Sequence, residues 1–138
     1  MWTDVLKIID RLTRGPDLSV ASVNAALGVE LTPILDNPTA RHFSAALTAG
    51  PLKGIELRES VETGISFLVL RANPDRLVVV PNDGLRQFGS PKWRAVEPKA
   101  LPEGSVSECY DLGNRELRIG YGAMSRMLEV VAVDENSQ

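Results

Sequence analysis

His42 and Cys109 are the single histidine and the single cysteine of the chain. With so few such ligands no metal site is expected, since zinc centres draw on several. His42 lies between Arg41 and Phe43 on a predicted strand, and an imidazole has the chemistry of a general base. Its neighbours Phe43 and Ala45 take the opposite face, so an exposed strand residue is the plainer account. Cys109, beside Tyr110, would need a base and a depressed pKa to act as a nucleophile. A half-buried structural thiol is expected instead. Glu56, Glu59 and Glu62 flank a turn. They have the chemistry for acid–base work on a sugar bond, given a cleft and one raised pKa. Carboxylates beside an edge turn more simply guard the sheet edge. Gly113, Gly120 and Gly122 lack the Lys-Ser/Thr and the strand-to-helix context of a phosphate loop, and no Gly-x-Ser-x-Gly or His-Glu-x-x-His motif occurs. The expectation is a chain that is not an enzyme, with no catalytic residue, no cofactor and no metal.

Binding chemistry is better represented. Residues 90–104 hold Lys92, Trp93, Arg94 and Lys99 among Pro91, Pro98 and Pro102, and read as an exposed loop. Trp and Arg are frequent anchors of protein interfaces. Prolines lower the ordering cost of binding by restricting the free loop. Lys92, Trp93 and Arg94 are therefore the first candidates for contacting a protein partner. The competing account has Trp93 covering a gap in the core. A second candidate locus is the open face of the sheet around Arg58, Tyr110 and Tyr121, the two tyrosines pairing across neighbouring strands.

Composition bounds these readings. The chain has 138 residues, of which 43% are hydrophobic and 24% charged, with a net charge of −3. This is one soluble domain, 1–138, long enough to bury a core without a disulfide. The acid excess argues against a nucleic-acid partner. The start of the chain shows no basic segment followed by an apolar one, and no run approaches a membrane span. A cytoplasmic location without membrane contact follows as an expectation, or a periplasmic one if a signal segment has been removed.

The elements that must position these residues come from periodicity. Residues 4–14 read as a helix, with Val5, Leu6, Ile8, Ile9 and Leu12 on one face, Thr3 as cap, and Gly15-Pro16 as stop. Residues 20–27 read as a second helix, with Ser19 as N-cap, Leu18 and Val23 as a hydrophobic staple, and Gly28 closing it. Residues 31–39, with two prolines, read as loop. Strands follow at 41–47, 54–59, 65–71 and 77–80. A helical turn is expected within 82–88, closed by Gly89. Strands at 107–112, 116–121 and 127–133 complete the chain, with Gly113-Asn114 as a hairpin turn and 134–138 as a polar tail. Helices first and strands after them predict an α+β fold: a helical part (about 4–28) packed on one curved antiparallel sheet (about 40–133). Val5, Ile8, Ile9, Leu12, Val23 and Leu27 are expected to meet Ile55, Leu57, Phe67, Val69, Val78, Leu117, Ile119 and Val131 in the core.

Two segments echo each other. Residues 19–28 form a capped helix ending Leu27-Gly28, and 81–89 a shorter one ending Phe88-Gly89; each precedes a loop and strands. The echo suits a degenerate tandem of helix-plus-meander units. The first segment resembles the S/T-x-x-x-V-x-x-x-L-G element of BamE-type lipoproteins and of the β-lactamase-inhibitor-protein architecture. Phe43, Ile55-Glu56-Leu57-Arg58 and Phe88-Gly89 give the wider layout a resemblance to small bacterial immunity proteins. What the resemblance implies is a non-catalytic protein-binding module, most concretely an immunity protein that occludes a cognate toxin. The alternatives are an assembly or adaptor module in secretion or envelope biogenesis, or a small-ligand-binding or enzymatic domain using a concave sheet face.

Overall fold

Helix α1, Trp2–Arg14, opens the chain in a computed structural model that describes residues 2–15, 17–47, 50–98 and 103–135. It starts before the expected position because Trp2 is itself an anchor. The indole is buried and its Nε1 donates to the Gly84 carbonyl at 3.2 Å. Thr3 therefore sits inside the first turn rather than capping it. Val5, Ile9 and Leu12 form the buried stripe, with Ile8 half-buried beside them. Helix α2, Val20–Leu27, is built as expected. Ser19 Oγ accepts from the Ser22 amide at 3.2 Å, and Gly28 takes φ 63° while its amide donates to the Asn24 carbonyl at 2.9 Å. Leu18 and Val23 are both buried, as a staple requires.

Eight strands follow among the described residues. They are β1 (Thr32–Asp36), β2 (Ala40–Ala46), β3 (Leu52–Ser60), β4 (Ser66–Ala72), β5 (Trp93–Glu97), β6 (Ser105–Asp111), β7 (Arg115–Gly122) and β8 (Leu128–Glu135). They form one sheet in the order β1-β2-β3-β4-β8-β7-β6-β5, antiparallel throughout. This is the expected α+β class. The order is a four-stranded meander set against a second one turned by half a revolution, with β4 and β8 meeting in the middle. Helix α2 leads into β1, and the 3₁₀ turn Arg86–Phe88 leads into β5. The two echoed segments thus precede the first strands of the two meanders.

The register makes the doubling visible in the core. One row runs Phe43, Leu57, Leu68, Val133, Leu117, Tyr110 across the sheet, an apolar sequence that reads much alike from either end. Leu57, Leu68, Val133 and Leu117 are fully buried and share one core with Val5, Ile9 and Leu12 of α1. Arg115, also fully buried, lies beneath the end of α1. Its guanidinium donates to the carbonyls of Thr13 at 2.9 Å and Gly15 at 2.7 Å.

Several expectations are corrected. Residues 32–36 are an edge strand rather than loop. Pro33 is tolerated because an edge strand needs no outward N–H, and the register slips between Pro33 and Leu35. Residues 93–97 are likewise a strand; Pro91 and Pro98 stand outside its two ends and leave the intervening residues free to pair with β6. Lys99 and Pro102 of that segment lie outside the described residues. Residues 77–80 alternate as a strand should, with Val78 and Val80 buried and Leu77 and Val79 exposed. They form a single bridge, Val79 to Met127, because β4 occupies that side of β8 from Val130 onward. Asp134 and Glu135 belong to β8 rather than to a tail, whose remaining residues, 136–138, lie outside the described ones. Phe67 and Val69 were assigned to the helix-side core. They project from the opposite face, because they alternate with the core residues Leu68 and Leu70.

Candidate partner-binding surface

The two faces of the sheet differ in chemistry. On the face away from the helices, register and alternation align two rows. One runs His42, Arg58, Phe67, Asp134, Glu116, Asp111. The next runs Ser44, Glu56, Val69, Ala132, Arg118, Cys109, Trp93. Val69, Ala132 and Cys109 are buried yet stand outside the helix-side core. Larger neighbours shelter them: the Arg118 guanidinium lies 5.6 Å over the Phe67 ring, and Arg58 Nε meets Glu56 Oε1 at 2.8 Å. Burial pushes the Asp134 carboxyl up, with Arg118 pulling against it. Beside these rows Ala46, Gly54 and Arg71 line an open trough.

The proposed partner-binding residues divide between the faces. Lys92 enters β5 and pairs its Nζ with Glu116; Trp93 follows on the open face, opposite Cys109. Arg58 shares that face on β3. Arg94 projects to the helix side, where its Nε lies 3.3 Å from Glu108 Oε1. Tyr110 and Tyr121 also lie there and are buried. The expected grouping of Arg58 with the two tyrosines therefore does not form, because Arg58 is an even step from Glu56 and both tyrosines are in register with core residues. The tyrosines are not paired across strands either: Tyr110 stands opposite Leu117, and Tyr121 opposite Val106.

They converge instead through Glu108, a residue the sequence reading passed over. Tyr110 donates its hydroxyl to Glu108 Oε2 at 2.6 Å, and Tyr121 donates to Oε1 at 3.0 Å. The Arg126 guanidinium stacks 4.6 Å over the Tyr121 ring, and Phe88 tilts against Tyr110 with centroids 5.8 Å apart. With the carboxylate's donors supplied by the fold, the cluster ties β6 to β7. Burial, and then the bond to Glu108, holds the Tyr110 hydroxyl well above its ordinary pKa of 10.0. In the unfolded chain that tyrosine loses its proton near 10 while the folded one keeps it, so stability falls as pH rises above that value. Urea unfolding between about pH 9 and pH 11 should show this loss, and Tyr110→Phe should flatten it. Equal slopes for the two proteins would assign the alkaline loss to other groups.

His42 and Cys109 both face the open side but lie on β2 and β6, five strand spacings or about 24 Å apart. Burial raises the Cys109 thiol pKa, which disfavours the nucleophilic thiolate. Among the described residues no group of three His, Cys, Asp or Glu side chains is placed to hold a metal, and no helix is long and apolar enough to cross a membrane.

The sequence carried one more signal. Glu56-Leu57-Arg58 on β3 recurs as Glu116-Leu117-Arg118 on β7. Leu57 and Leu117 sit at matching places on the core row, so each strand sends one Glu and one Arg to the open face. No protein-family model, curated protein or solved structure matches the chain.

Proposed function

We propose that this chain is a non-catalytic protein-binding module, and specifically a bacterial immunity protein that neutralises a cognate toxin by occlusion, working in the cytoplasm. The observation that carries the reading is the condition of β5. All five of its residues are exposed, it ends the sheet, and it presents Trp93 at 41% and Val96 at 52% exposure. An edge strand offers backbone groups for pairing with an added strand, and an exposed Trp supplies the apolar anchor that such a contact needs. The charges of Lys92 and Arg94 are already matched by Glu116 and Glu108, which leaves Trp93 as the anchor. Pro91 and Pro98 limit the contact to a short stretch and protect the edge from open-ended association. Occlusion follows if this edge enters the toxin's active-site cleft, with side chains on its two faces setting specificity.

Co-expression tests the reading. The reading frame next to its gene should encode a product that is toxic alone and harmless beside this chain. Trp93→Ala should weaken the complex by about 2 kcal/mol or more while the melting temperature barely moves. Continued toxicity in the presence of the chain, or full affinity in the Trp93→Ala variant, would count against it.

A further inference from the structure

We propose that two copies of this chain associate face to face through the open side of the sheet. The inference goes beyond partner binding at β5 and rests on the charge pattern inboard of it. Four charged side chains mark the corners of a rectangle on this face. Within the chain Arg58 also pairs with Glu56, and Glu116 with Lys92, so a second copy exchanges these contacts rather than meeting bare charges. Arg58 and Glu116 stand at the two ends of one row, with Phe67 and Asp134 between them. Glu56 and Arg118 stand at the two ends of the next, with Val69 and Ala132 between them. Three strand spacings by two residues make this about 14 Å by 7 Å.

Around the rectangle the signs alternate. That arrangement is complementary to its own image. With the two-fold axis in the interface plane and parallel to the strands, Arg58 of one copy meets Glu116 of the other, and Glu56 meets Arg118. With the axis perpendicular to the strands, Arg58 meets Glu56 of the second copy and Arg118 meets Glu116. Every corner finds an opposite charge in either arrangement, which is the self-complementarity an isologous interface requires. The repeated Glu-Leu-Arg tripeptide produces this pattern, because the second meander is the first one rotated by half a turn.

The rest of the face suits the same occupant. Between the corners lie the apolar Val69 and Ala132, and the neighbouring row is small toward both ends, with Ala46 and Gly54 at one and Gly120, Ser107 and Ala95 at the other, while Arg71 and Val130 stand at its centre. Eight strands at about 4.8 Å and five residues at about 3.4 Å give a face of about 650 Å² before side-chain relief is counted. A standard interface takes about 800 Å² from each partner.

The mass in solution is the direct test. By sedimentation equilibrium the wild type should weigh twice its 15.0 kDa. Arg58→Glu with Arg118→Glu places acid at all four corners, and Glu56→Arg with Glu116→Arg places base at all four. Each double variant should be monomeric, its dimer weakened by at least about 100-fold, because like charges then face each other. Mixing the two should restore a one-to-one dimer. A wild type that stays monomeric at several hundred micromolar overturns the proposal without any variant. So does a dimer that survives both charge reversals, which would place the contact at a sheet edge. Folded variants, checked by circular dichroism, that fail to reassociate on mixing overturn it as well. The four corners lie inboard of β5, so a failure here leaves the Trp93 test of partner binding intact.

Discussion

Arg115→Met should lower the unfolding free energy by about 3–5 kcal/mol. Arg115 is 1% exposed and begins β7, directly under the C-terminal end of α1. A helix leaves its last carbonyls without internal partners and concentrates negative potential there. The guanidinium meets both needs through two charged hydrogen bonds, to the Thr13 and Gly15 carbonyls. Methionine fills much of the same volume, so little of the loss would come from a cavity. What remains is two stranded carbonyls and a helix no longer fastened to the sheet. Arg115→Lys should recover only part of the loss, because one ammonium cannot reproduce a fork that spans two acceptors. Urea titrations of the three proteins check this; a loss below about 1 kcal/mol for Arg115→Met would mean that α1 is held by its apolar stripe alone.

Leu68→Ala should cost about 3–5 kcal/mol, while Val69→Ala, at the adjacent position, should cost about 1–2 kcal/mol. Leu68 is 0% exposed in the middle of the core row, between Leu57 and Val133 and under the helices. The surrounding strands cannot close over the void left there, so a cavity term adds to the lost transfer energy. Val69 is 9% exposed and lies on the open face, sheltered by side chains that can settle into the space. Its loss should approach the transfer term alone. The contrast is a direct measure of which face carries the core. Equal losses at the two positions would mean that the open face is covered as firmly as the helix side.

The assignment of β4 shows where a sequence is mute. Residues 65–71 are almost all apolar, and such a run has no alternation to say which residues face the helices. Leu57 and Leu117, by contrast, stand between charged neighbours, so their side of the strand can be read from period alone. The capped helix α2 was equally legible, because Ser19, Leu18, Val23 and Gly28 act over one or two turns of chain. The prolines misled for a related reason. Pro33 sits within β1, where pairing stops on one side only, and Pro91 and Pro98 mark the ends of β5 rather than its absence.

The candidate surface divides in the same way. Trp93 could be singled out from its residue type and its setting. That Arg94 would point away from it depended on 93–97 being a strand. The Glu108 cluster joins residues of β5, β6 and β7 with the turn before β8, and no local spacing announces it. The four-cornered charge pattern had a visible trace, the repeated Glu-Leu-Arg, but its meaning needed the rotation between the two meanders. By itself the sequence determined the class of fold, the caps of α2 and most strand positions, since periodicity and capping act locally. The tertiary structure alone decided strand order, edge position, the face of each apolar strand and the buried place of Arg115. Those depend on which distant segments pair, and chain alternation specifies a face only once a neighbour has fixed the register.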